Sequence, residues 1–186
     1  MTTSAVPFPP PAGPPPSGFD EPLDILHACH DRVRRSLALL REIGERVATG
    51  RVDVGVHGAA ADVLHYFDRA APLHHEDEEQ HIFPCVLAHT SDAAVRAAVM
   101  RLQEDHLTME ALWVRLRVPL AALANGRDEA YDASQRAAAA RFCALYGRHA
   151  KCEDEVVFPL AAELLADDVR HAAAQEMVRR RKARRA

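Results

Sequence analysis

Residues 67–84 read Phe-Asp-Arg-Ala-Ala-Pro-Leu-His-His-Glu-Asp-Glu-Glu-Gln-His-Ile-Phe-Pro. Seventy-five positions on, residues 142–159 read Phe-Cys-Ala-Leu-Tyr-Gly-Arg-His-Ala-Lys-Cys-Glu-Asp-Glu-Val-Val-Phe-Pro. Laid together without a gap, Phe67 falls on Phe142, His74 on His149, Glu78 on Glu153, Ile82 on Val157, Phe83 on Phe158 and Pro84 on Pro159. In each copy a histidine and a glutamate stand four residues apart, which puts both side chains on one face of a helix. A repeat of this length points to a helical unit used twice.

The segments that precede each copy repeat as well, with an offset of 76. His30 falls on His106, Leu23 on Val99, Leu26 on Leu102, Val33 on Met109, Leu37 on Trp113 and Leu40 on Leu116. These positions form a heptad seam, and each histidine takes a slot the seam would otherwise fill with an apolar residue. The repeated unit is therefore a helix hairpin, and two hairpins give a bundle with a pseudo-twofold axis. Ala, Leu, Glu and Arg dominate, while alternating β-branched runs are absent, so strands have no support. Breaks at Gly50–Gly58, Thr90-Ser91-Asp92, Asn125-Gly126-Arg127-Asp128 and Ala166-Asp167-Asp168 delimit helices near 21–49, 55–89, 92–124 and 129–165. A shorter fifth helix follows at 167–182. Ser91-Asp92 predicts a helix start and Asn125-Gly126 a helix stop. The expected fold is all-α: an up-down-up-down four-helix bundle of two repeated hairpins, with a short C-terminal fifth helix. Seven of the 12 prolines lie between Pro7 and Pro16, so residues 1–19 read as a disordered or polyproline tail ahead of a bundle domain over 20–186.

The repeat also selects among the acids and histidines of the second helix. His75/Glu79 has the same four-residue spacing as His74/Glu78 but lies about 100° around the helix. Its counterparts in the second copy are Ala150 and Asp154, so only His74/Glu78 is matched in full and is expected to face inward. The inward set is then His30, His74, Glu78, His106, His149 and Glu153. Imidazoles and carboxylates projecting into a bundle core are how bundles build dinuclear metal sites. A lone core histidine bonded to a glutamate would need no metal. Four at twofold-related positions, two with matched glutamates, favour metal ligation.

These residues are where a resemblance becomes specific. Leu26-His27-Ala28-Cys29-His30-Asp31-Arg32-Val33-Arg34, His74-His75-x2-Glu78-Glu79-x3-Phe83-Pro84, Asp105-His106, His149-x3-Glu153-x4-Phe158-Pro159 and the ending Met177-Val178-Arg179-Arg180-Arg181 resemble the bacterial hemerythrin-like (HHE cation-binding) domain. The resemblance spans about residues 22–181. It implies an up-down-up-down bundle around a non-haem di-iron centre of two Fe ions. His30 and His74 would hold one iron, His106 and His149 the other, and Glu78 and Glu153 would bridge. The chain departs from the oxygen-carrying hemerythrins at Glu110, where they have a further histidine, and in spacing its last carboxylate four rather than five residues from His149. It is closer to iron-centre-repair and other bacterial hemerythrin-like proteins, although the repair proteins' extra N-terminal domain has no counterpart in these 186 residues.

Composition narrows the function. Lys and Arg total 23 against 27 Asp and Glu, a formal charge of −4, which argues against a nucleic-acid partner. No run of 18 apolar residues occurs, so no membrane partner is expected. The absence of a basic segment followed by an apolar core, with four scattered cysteines, gives a cytoplasmic expectation. No phosphate loop, nucleophile elbow or CxxC pair is present. Two carboxylates neutralise half the charge of two ferrous ions, and a histidine-rich set leaves the site open to a neutral diatomic ligand. Three readings stay open: binding or sensing of O2 or NO; an enzyme acting on NO or peroxide, or an iron donor in iron-centre repair; and a structural bundle with zinc or no metal. A sensor would act through a separate signalling or redox protein partner. Glu110 is either an extra ligand or a surface acid, Tyr146 a hydrogen-bond donor to the site or a core tyrosine. Pro84 and Pro159 read as a matched bend, and Arg179–Arg185 as a solvated helix end favoured by the dipole.

Overall fold

The computed structural model describes residues 21–127 and 131–184. The Pro-rich stretch 1–19 lies outside the described residues, as does the first residue of the domain expected over 20–186. Every regular element among the described residues is helical. Helix α1 spans Pro22–Ala48 and α2 Val54–Asp77. A π-helical turn, Glu78–Ile82, joins α2 to α3 (Phe83–His89) without a break. Helix α4 spans Ala93–Ala124 and α5 Ala133–Cys152. A second π-helical turn, Glu153–Val157, joins α5 to α6 (Phe158–Leu164), and α7 spans Asp167–Ala183. The four rods of the bundle are thus α1, α2–α3, α4 and α5–α6.

Local chemistry sets the ends. Pro22 opens α1, where a missing N–H costs nothing. Asp53, Asp92 and Asp132 each accept the first free N–H groups of the helix they precede. The Asp132 cap starts α5 at Ala133 rather than near 129. Gly50 and Gly126 follow helix ends with φ of 67° and 76°, a left-handed conformation that stops a helix and suits glycine.

Around the bundle, α1 packs on α2, α2 on α4, α4 on α5, and α5 back on α1. The apolar interior falls into two parts. One contains Val33, Leu37, Leu40, Phe67, Met109, Leu116, Phe142 and Tyr146. The other contains Leu26, Ile82, Phe83, Leu102, Val157 and Phe158. His30 lies in sequence between Leu26 of one part and Val33 of the other, and His106 likewise between Leu102 and Met109. A polar layer therefore crosses the bundle between two apolar halves.

Helix α7 lies against α1 and α2 and buries Ala174 and Met177 on Ile25. Its basic end departs in part from the sequence expectation. Arg180 and Arg181 both ion-pair with Asp77, whose side chain is fully buried. Arg180 and Arg181 are held by a buried carboxylate, while Arg179 and Arg184 of the same end stay largely exposed, as expected.

Candidate metal centre

The structure brings all six expected residues together. His30, His74, Glu78, His106, His149 and Glu153 are buried, none more than 5% exposed. Their ligand-capable atoms fall into two overlapping groups of four: His30, His74, Glu78 and Glu153, and Glu78, His106, His149 and Glu153. Within each group these atoms lie within 4.8 Å of one another.

Each carboxylate spans the two groups. Glu78 Oε1 is 3.1 Å from Nε2 of His74, one turn back on its own helix, and its Oε2 is 3.4 Å from His106 Nε2. Glu153 mirrors this, with Oε1 2.9 Å from His149 Nε2 and Oε2 3.2 Å from His30 Nε2. Every carboxylate thus touches the histidine of its own helix and one from the opposite hairpin. These carboxylate contacts follow the pseudo-twofold inferred from sequence.

The repeat also supplies the frame around these residues. Asp154 Oδ1 is 2.8 Å from His30 Nδ1, and Glu79 Oε1 is 2.8 Å from His106 Nδ1. Phe158 stacks on His30 at 5.2 Å and 16°, and Phe83 stacks on His106 at 5.7 Å and 20°. A carboxylate on Nδ1 and a ring on the face fix both imidazoles with Nε2 directed at the glutamates. His75 and Glu79 are absent from both groups of four, in keeping with the register expected from sequence. They still touch the centre, since His75 stacks on His106 at 4.0 Å. The Tyr146 hydroxyl shares a 3.2 Å hydrogen bond with His75 Nε2. Sequence reasoning missed the orienting roles of Glu79, Asp154, Phe83 and Phe158. The signal was present: an acid follows the glutamate in both copies, and a phenylalanine precedes both prolines.

The symmetry is not complete. Arg34 binds Asp154 from the side away from His30, while its counterpart, Glu110, has no such role and lines a cavity beside His106. Asp105 Oδ2 lies 3.6 Å from His149 Nδ1, and Cys29 stands at the equivalent position before His30. His27 approaches Asp154 at 3.3 Å and packs on Phe158, but is half exposed.

Electrostatics make the core an unfinished arrangement. The four oxygens of Glu78 and Glu153 are buried and face only imidazole nitrogens, at 2.9–3.4 Å, with no backbone or hydroxyl donor. Burial, then the neighbouring Glu153 charge, pushes the Glu78 carboxyl well above the usual range. Burial acts the same way on Glu153, but His149 and His30 outweigh it and hold that carboxyl below the usual range. Burial disfavours a charged His30, yet its bonds to Asp154 and Glu153 prevail and hold it at about 9. Burial, then the His30 charge, depresses His74. Two buried carboxylates packed among imidazoles are found where a cation balances them. Imidazole nitrogens and carboxylate oxygens converging on two shared points are the donor set of a pair of divalent transition-metal ions. The residues present fit such a pair.

A cavity of about 310 Å³ opens between α2 and α4, lined by Phe67, Met109, Trp113, Tyr146, His75 and His106 among others. It reaches one edge of the centre from outside. No helix among the described residues is long and apolar enough to cross a membrane.

Comparison with known proteins agrees with this architecture. The family model described as Hemerythrin HHE cation binding domain matches residues 21–161. An uncharacterized protein of Haemophilus influenzae is 29% identical over 151 residues, covering 81% of this chain and 84% of that protein.

Proposed function

The chain belongs to the hemerythrin HHE cation-binding family, and from that premise we propose that it is a non-haem di-iron protein that binds or senses O2 or NO. The observation that carries this reading is the pair of four-residue groups sharing both carboxylates. His30 and His74 would hold one iron, His106 and His149 the other, with Glu78 and Glu153 common to both. Iron in this setting supplies reversible electron donation to a small neutral ligand.

The protein's own residues would set the rest. Asp154 and Glu79 hold the His30 and His106 rings in one orientation, which raises their donor strength. Two carboxylates leave the centre less negative than a carboxylate-rich one, which favours retention of the ferrous state. The cavity beside His106 would admit a diatomic molecule past Trp113 and Phe67, with Glu79 and Glu110 also lining its walls. Tyr146 and His75 place a polar pair at that edge, able to hold a proton near an incoming ligand.

The test is anaerobic loading with ferrous iron, then absorption spectra under O2 and under NO. A spectrum that forms with either gas and reverses when the gas is removed is expected. Catalytic consumption of NO or peroxide with an added reductant, and no reversible adduct, would make the protein an enzyme instead.

A further inference from the structure

A second pocket lies on the far side of α1 and α2 from the cavity beside His106, where α7 packs. Its volume is about 110 Å³, and its walls include Arg32, Arg69, Arg181, Arg184 and His65, with Cys29 among the residues lining it. No carboxylate lines it. This concentration of cations occurs in a chain whose formal charge is −4.

The internal repeat shows that the bundle does not need these residues. The positions equivalent to Arg32, His65 and Arg69 are Thr108, Ala140 and Ala144. The same helix hairpin therefore packs with small, uncharged side chains at those places. Only the first hairpin carries the cations, and only there does α7 add Arg181 and Arg184.

Two of the four arginines are already engaged. Arg181 binds the buried Asp77, and Arg184 lies 3.6 Å from Glu76. Arg32 rests over the Tyr66 ring at 5.3 Å, its Nε buried with no hydrogen-bond partner. Neither Arg32 nor Arg69 has a carboxylate partner among the described residues. Cations gathered around one concavity repel each other unless an anion lies between them. Guanidinium groups converging from three helices present the forked donors that match tetrahedral oxyanions.

We propose that this pocket binds a phosphoryl group, with Arg32 and Arg69 as its principal donors and Arg181 and Arg184 completing the site. The group could arrive as free phosphate or on a phosphate monoester, and one experiment separates the two. Isothermal titration of the full-length, metal-loaded protein is run with inorganic phosphate and with AMP, against sodium chloride of matched ionic strength. Saturable binding of at least one of them is expected, and its loss by about tenfold or more in Arg69→Gln and in Arg32→Gln. The exposed Arg115→Gln should leave it unchanged. AMP binding tighter than phosphate identifies an ester as the ligand, and the reverse identifies the free ion. Arg69 is exposed, so its substitution leaves the core packing alone and keeps the test valid if Arg32→Gln folds poorly. No saturable heat with either compound would overturn the proposal. So would binding that persists in Arg69→Gln, because phosphate taken up by iron would not depend on that arginine.

Discussion

Asp154 does for His30 what Glu79 does for His106, and neither residue would be singled out by spacing to a ligand. Each follows one of the two inward glutamates by one position, a step of about 100° that takes it off the inward face. That step aims it at the histidine arriving from the opposite hairpin, 2.8 Å away in both cases. The six inward residues were legible in the sequence because each repeats its type as well as its place. The orienting residues were harder to see because contact between hairpins depends on how the helices cross, which no single-helix periodicity encodes. At this scale, His74→Ala and Glu153→Ala should each sharply reduce bound iron. Glu79→Ala and Asp154→Ala should weaken it by about 10–100-fold, read by competition with a chelator. His75→Ala should have a smaller effect than His74→Ala. The reverse order would mean that the inward face had been misassigned.

The two π-helical turns show an element built around its own proline. In each, an amide donates one residue further back than in an α-helix: Phe83 N–H to the Glu78 carbonyl, and Phe158 N–H to the Glu153 carbonyl. Pro84 and Pro159 have no N–H to give, and their rings crowd the carbonyl four residues back in a regular helix. Widening that turn relieves the clash while the rod continues. The sequence marks the place through the matched prolines, but proline predicts only a disturbance, and a bend was the simpler expectation. The widened turn starts at the glutamate and ends before the stacking phenylalanine, so it sets the offset between the two. Helix α7 is the other element whose role was hidden. Its arginines look like a solvated end until Asp77 is found buried against them. Asp77→Ala should leave that clamp without its centre and cost about 3 kcal/mol of stability, measured by urea denaturation. A loss under about 1 kcal/mol would show that α7 is held by Met177 and its apolar neighbours alone.

Across the whole molecule, two apolar halves flank one polar layer of four imidazoles and two carboxylates. The apolar halves follow the heptad seam and were legible from it. The polar layer was legible only through the repeat, since any one of its histidines could be an ordinary buried residue. Metal removal should therefore destabilise the fold as well as empty the site. Chelation should lower the melting temperature, and restoring ferrous iron should raise it again, because an ion bound only by the folded chain stabilises that state. Deleting residues 1–19, which lack any apolar periodicity, should leave both helicity and iron content unchanged by circular dichroism and metal analysis. Two equivalent half-sites that share both carboxylates would take two ions per chain. Iron content per chain after anaerobic ferrous loading, followed by magnetic measurement of the oxidised protein, checks that stoichiometry. Two irons per chain with magnetic coupling between them is the predicted result, and a single tightly bound ion with no coupling would contradict it.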